Sequence, residues 1–111
     1  MPLKISIQVS DDGDFSYTYE PKSRKVKIGD AVQFQCSAPE LEHFAVHIGW
    51  DTPCSKGRYR TPESTIVAEV PASARPGVYE FFVAALIRSP RPKVEGEKAI
   101  YTDDPDFIVE N

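Results

Sequence analysis

The chain has 111 residues, 41% hydrophobic and 27% charged. That is one domain's worth of chain, unlike a disordered segment in composition, and long enough to bury a core without metal or disulfide staples. Its net charge of −4, from 13 Lys and Arg against 17 Asp and Glu, excludes a whole-domain nucleic-acid footprint. No apolar run approaches the roughly 20 residues that a membrane-spanning helix needs.

Met1-Pro2-Leu3-Lys4-Ile5 alternates at once and carries no charged-then-apolar leader pattern. With Met1 as the native start, a cytoplasmic protein is expected. If a signal peptide was removed, the periplasm or the exterior is expected. Leu3, Ile5, Ile7 and Val9 alternate with Lys4, Ser6, Gln8 and Ser10, which predicts a half-buried strand. Asp11-Asp12-Gly13-Asp14 supplies turn chemistry, and Phe15, Tyr17 and Tyr19 alternate beyond it, so the two strands are expected to form a hairpin. Pro21 ends the second strand, having no N–H to give a ladder.

Val26 and Ile28 lead to a turn at Gly29-Asp30. Val32, Phe34 and Cys36 then share one face of a strand, with Gln33, Gln35 and Ser37 on the other. Phe44, Val46, Ile48 and Trp50 form the next apolar stripe, with His43, Ala45, His47 and Gly49 opposite. Residues 51–63 carry no strong pattern and read as a long loop bearing Cys54, Lys56, Arg58 and Arg60. Residues 64–70 form a strand. Gly77 opens the most apolar segment, in which residues 81–87 are an unbroken apolar run and read as a central strand covered on both faces. A Pro- and charge-rich loop at 89–96, a short strand at 98–102, a break at Asp103-Asp104-Pro105 and a strand at 106–110 complete the chain. Seven to nine strands without a credible amphipathic helix predict an all-β fold: one antiparallel Greek-key β-sandwich spanning residues 1–111.

The segment Val26-Lys27-Ile28-Gly29-Asp30-Ala31-Val32-Gln33-Phe34 resembles the V-x-x-G-D-x-V-x-F stretch of cupredoxin-like domains, where a histidine-bearing strand follows, here His43-Phe44-Ala45-Val46-His47-Ile48. Pro76-Gly77-Val78-Tyr79-Glu80-Phe81 is similar to that family's P-G-x-Y-x-F strand, and Asp104-Pro105-Asp106-Phe107-Ile108-Val109 to its last strand. The resemblance implies a type 1 copper centre built from a His and then a Cys, His and Met after the Y-x-F strand. Residues 82–89 contain no Cys, His or Met, and the one methionine is Met1, so blue-copper electron transfer is not expected whatever the fold. The chain also resembles immunoglobulin-like sandwiches. Cys36 and Trp50 stand near that family's Cys-to-Trp spacing, and Tyr79 would be the corner tyrosine, but Phe81 occupies the place of the second cysteine.

His43 and His47 share a strand face and, with Cys54, are candidate ligands for zinc or copper; Cys36 has the right chemistry but points inward. The ordinary reading is two half-exposed histidines. Cys36 and Cys54 are either a disulfide, contributing roughly 3 kcal/mol by loop closure, or a buried thiol and a loop thiol. Lys56, Arg58 and Arg60 would lower the Cys54 pKa if they approach it. No G-x-S-x-G elbow is present, and Asp11, Asp12 and Asp14 lack the length and terminal Glu of a calcium loop. Lys22, Arg24, Lys25 and Lys27 form a second basic cluster. If one face of the 81–87 strand is open, Phe82, Ala84 and Leu86 make an apolar patch that a second copy would cover, giving a homodimer.

The reading that follows is a non-enzymatic binding module without a copper site. Its partner, a protein or a second copy, is expected on the 51–63 and 88–97 loops, through Lys56, Arg58, Tyr59, Arg60, Phe82, Leu86, Arg88 and Arg91. No catalytic residue and no resident cofactor is expected. The alternative is a zinc or copper protein using His43, His47 and a cysteine. A hydrolase or redox enzyme acting through Cys54 is a third reading.

Overall fold

A computed structural model describes residues 2–10, 13–38, 40–48, 52–88 and 98–111; for 88 and 98–101 it describes the backbone alone. The alternating stripes become ten strands: β1 (Leu3–Val9), β2 (Phe15–Glu20), β3 (Lys25–Lys27), β4 (Ala31–Ser37), β5 (Leu41–Ile48), β6 (Arg58–Thr61), β7 (Thr65–Glu69), β8 (Gly77–Arg88), β9 (Lys98–Asp103) and β10 (Asp106–Glu110). They form two sheets packed as a sandwich. Sheet one has the order β2-β1-β4-β7, and sheet two β3-β10-β8-β5-β6, with β9 also pairing β8. Trp50, Asp51, the first half of the Asp11-Asp12-Gly13-Asp14 turn and the 89–96 loop, including Arg91, lie outside the described residues.

The β1–β2 hairpin forms as the alternation predicts, closing at Val9 opposite Phe15. Gly13 turns it with φ 87°, a conformation that a side chain would strain. Gly29, at φ 95°, serves the turn between β3 and β4, where its N–H donates to the Val70 carbonyl at 2.8 Å.

Two expectations need correction. Among the described residues there are ten strands, because the supposed loop at 51–63 contains β6. The sheets are also mixed rather than antiparallel: β1 runs parallel to β4, and β3 parallel to β10. Period-two alternation fixes which face a residue takes but carries no strand direction. Direction comes from the route of the chain, which pairs β1 with β2, crosses to sheet two for β3 and returns as β4 beside β1.

Leu3, Ile5, Ile7, Val32, Phe34 and Ala68 of sheet one face Phe44, Val46, Phe81, Val83, Ala85, Ile87 and Phe107 of sheet two in one contiguous core, and all are essentially fully buried. Phe34 packs edge-on against Phe81 with ring centroids 5.1 Å apart, a preferred aromatic geometry. Along one side of the sandwich, β2 leans its inward aromatics over β9 and β10. The Tyr17 hydroxyl donates to Asp103 Oδ2 at 2.6 Å, and that of Tyr19 to the Asp106 carbonyl at 3.0 Å. Burial, then the Asp103 carboxylate, pushes the Tyr17 phenol well above its ordinary pKa, so it stays a donor. At the foot of β8, the Tyr79 hydroxyl reaches back to the Arg75 carbonyl at 2.7 Å and pins the connection from β7.

Candidate functional site

The outer side of sheet two is built around β8. Its odd residues, Phe81, Val83, Ala85 and Ile87, are buried, and its even residues, Val78, Glu80, Phe82, Ala84 and Leu86, face away from the core. The central position of the 81–87 run is as expected, but its coverage on both faces is not. Phe82 is 45% exposed and Val78 66%, while Ala84 and Leu86 are half-buried by their neighbours. An apolar run carries no period, so it could not show that one of its faces is open.

Register places the flanking residues in rows across this face. Arg58, His47 and Phe82 make one row, Arg60, Ala45, Ala84 and Thr102 the next, and His43 and Leu86 a third. The His47 ring lies 6.2 Å from that of Phe82. A shallow groove of about 450 Å³ runs between His43, Ala45, Arg60, Ala84 and Leu86. A wider cleft of about 810 Å³ continues from Val78, Glu80 and Phe82 to Asp106 and the Pro71–Pro76 connection. The face is therefore a strip of apolar side chains along β8, with two arginines along its β6 margin. Glu80 and Asp106 pair across β8 and β10 at one end, and Arg88 and Lys98 across β8 and β9 at the other.

Of the expected partner-binding residues, Arg58, Arg60, Phe82 and Leu86 are brought together here. Arg88 joins them by backbone register, but its side chain lies outside the described residues, as does all of Arg91. Lys56 is exposed in the turn before β6 and stands apart from the strip. Tyr59 is not interleaved with the arginines. Alternation along β6 turns it inward against the core, where its hydroxyl accepts the Lys56 N–H at 3.2 Å. Burial raises the Tyr59 phenol pKa. The other basic cluster is partly tied up within the fold: Arg24 contacts Asp106 at 3.0 Å and stacks over Tyr19, and Lys25 lies 3.8 Å from Glu110.

The candidate metal ligands are not brought together. His43 and His47 share a face, but four strand rises of about 3.3 Å separate their Cα atoms by roughly 13 Å, with Ala45 between them. Cys54 is 6% exposed and Cys36 2%, both within the core. Among the described residues no three His, Cys, Asp or Glu side chains form a group that could hold a metal ion.

Cys36 and Cys54 are free thiols. They lie at opposite ends of β7: the Cys36 N–H donates to the Ser64 carbonyl, and the Ser55 N–H, next to Cys54, to that of Glu69. The length of β7, about 13 Å, exceeds the roughly 7 Å limit for a disulfide. Cys54 is not a loop thiol activated by cations either. Burial raises both thiols to about 11, with a Thr52 hydrogen bond partly offsetting this at Cys54.

Comparison with protein-family models and with curated proteins finds no match to this chain. Among the described residues no helix is long and apolar enough to cross a membrane.

Proposed function

We propose that the chain is a non-enzymatic protein-interaction module whose binding surface is the outer face of sheet two. The observation that carries this reading is Phe82, a large aromatic 45% exposed at the centre of a sheet rather than at its rim. It stands beside Ala84, with Leu86 one step further along the same face of β8, and with Arg58 and Arg60 alongside. Apolar residues scattered singly need no explanation, but a contiguous strip rimmed by polar groups is the ordinary signature of a protein-binding face. Aromatic and arginine side chains are also the types enriched where partners dock.

The burial of both cysteines supports the non-enzymatic reading, because a thiol held at about 11 is protonated at neutral pH and a poor nucleophile. The scaffold is read as cupredoxin-like or immunoglobulin-like. The Tyr79 bond to the Arg75 carbonyl favours the second, because the corner tyrosine of that family bonds back to the backbone a few residues upstream.

Site-specific photo-crosslinking in cells tests the reading. A photoreactive residue at position 82 should give a discrete protein adduct, and the same residue at position 67, on the outer face of sheet one, should give none. No adduct at 82, or equal adducts at both positions, would overturn it.

A further inference from the structure

The margin of sheet two beyond β5 is an open strand edge. β6 ends the sheet, and among the described residues no strand pairs with its far side. The Ile48 N–H donates to the Gly57 carbonyl at 2.7 Å, which marks these two as a hydrogen-bonded pair at the start of the β5–β6 ladder. Such pairs alternate along an antiparallel ladder, so Tyr59 and Thr61 also direct their main-chain groups at β5. Arg58 and Arg60 direct theirs away from β5 and leave two N–H and two C=O groups on the open edge. Their side chains are exposed on the outer face, about 7 Å apart by two strand rises. Among the described residues neither has an ion-pair partner, unlike Arg24 and Lys25.

Charge on an edge strand ordinarily guards it against unwanted pairing. Guarding alone does not account for where these cations stand. β2, the last strand on one side of sheet one, is six residues long. By the Ser10–Asp14 bond it directs the main-chain groups of Phe15, Tyr17 and Tyr19 away from β1. Its outer face carries Ser16, Thr18 and Glu20, with no cation. The arginines are thus on a four-residue edge and absent from the longer one.

We infer that β6 takes up an extended acidic segment of a partner protein as a further, antiparallel strand of sheet two. Main-chain bonds to Arg58 and Arg60 hold the segment, and carboxylates at alternate positions stand opposite the two guanidiniums. A polypeptide supplies N–H and C=O groups at the spacing of the open edge, and a nucleic acid does not. The arginines also reject the nearest rival. In every antiparallel register that bonds its free groups, β6 on a second β6 sets arginine against arginine, and like charges directly opposite repel. The edge is a second surface of the interaction module: the added strand lies three strand spacings, about 14 Å, to the side of β8, and does not need the outer face of that strand.

A short synthetic peptide alternating glutamate with threonine, titrated into the purified chain at low salt, tests this. It should bind with a dissociation constant below about 1 mM, and amide hydrogen exchange at Arg58 and Arg60 should slow in its presence. The matching lysine–threonine peptide should bind at least about tenfold more weakly, and the double variant Arg58→Glu, Arg60→Glu should reverse that preference. Methylating the glutamate main-chain nitrogens should abolish binding, because a residue opposite an arginine exchanges both bonds with it; methylating the threonine nitrogens should not. No binding of the glutamate peptide at about 1 mM overturns the inference, as does a preference that survives the double variant. Equal binding of the two methylated peptides, or of a single-stranded oligonucleotide of matched charge, overturns strand addition. Crosslinking at position 82 is read separately. An adduct there with no peptide on β6 overturns strand addition and leaves the reading of the β8 face standing; peptide on β6 with no adduct at 82 does the reverse.

Discussion

The two outer faces of the sandwich follow different rules. On sheet one the alternation is kept almost everywhere: Ser16, Thr18, Lys4, Ser6, Gln33, Gln35, Thr65 and Glu69 face away from the core, and Val67 is the one large apolar side chain among them, 56% exposed. On sheet two the central strand breaks the rule with Val78, Phe82, Ala84 and Leu86 on its outer side. Both faces fold on the same core, so the difference is not needed to fold. An antiparallel or mixed sheet is stable with one wet, polar face, and sheet one has such a face. The apolar strip of sheet two is thus a feature in search of another role, which is why the functional reading rests on it.

The largest effect should separate two adjacent residues of β8. Phe81→Ala removes a fully buried ring from the aromatic cluster and should cost about 3–5 kcal/mol. Phe82→Ala should cost far less. Comparable urea midpoint shifts for the two variants would mean that the 81–87 strand is covered on both sides after all.

The next test concerns what sheet one buries beneath its polar exterior. Burial holds Cys36 and Cys54 at about 11 against an ordinary 9.0. A raised folded value contributes stability that is fully present below the unfolded pKa and is lost as pH rises through the folded one. Between pH 9 and about 11 the unfolded chain ionises its thiols while the folded chain does not, so stability should fall there, by at most about 2.7 kcal/mol per thiol. Urea unfolding at pH 8 and pH 11 should show the loss, and Cys36→Ala should lessen it. An unchanged slope in Cys36→Ala would place the thiol in water.

A smaller effect tests one of the bonds that join the two sheets. Tyr17→Phe removes the hydrogen bond to Asp103 and should cost about 1.5 kcal/mol in chemical denaturation. A variant as stable as the parent would mean that the phenol and the carboxylate are separately solvated.

The smallest effect sharpens the contrast itself. Val67→Ser and Phe82→Ser should each change stability by only about 1 kcal/mol, both side chains being about half exposed. Only the second should alter association with the partner protein that crosslinks at position 82. Equal changes in association would erase the distinction between the faces.

Much of the fold was legible because alternation is a direct print of the pleat. The β1–β2 hairpin, the inward set Val32, Phe34 and Cys36, and the turn at Gly29-Asp30 all follow from it. β6 was not legible. Arg58-Tyr59-Arg60-Thr61 offers a single large apolar residue, and its strand character comes from pairing with β5 rather than from its own pattern. The same alternation, once the strand is known, sends Tyr59 inward and the arginines outward. The histidines show the opposite hazard. Face-sharing along a strand was read correctly, but at four residues it is a separation and not a cluster. The burial of Cys54 was not legible because its neighbours are polar and prolyl; the fold packs its side chain into the core, and the Ser55 N–H beside it bonds to the Glu69 carbonyl at the far end of β7. The open side of β8 is not legible either, since seven consecutive apolar residues look alike from either face.

The parallel pairing of β3 with β10 joins Lys25 to Ile108, far apart in the chain. It has a consequence for the order in which the protein is made. β10 also brings Phe107, whose ring lies 6.0 Å from that of Phe81 and 6.5 Å from that of Phe34. During synthesis β1 to β9 are made before it. Until it arrives, β3 lacks its ladder partner, the first half of β8 has a bare edge and the aromatic cluster lacks one ring. At roughly 5–20 residues per second the nascent chain spends seconds in that state, with an unpaired strand edge exposed to any chaperone or any sticky neighbour.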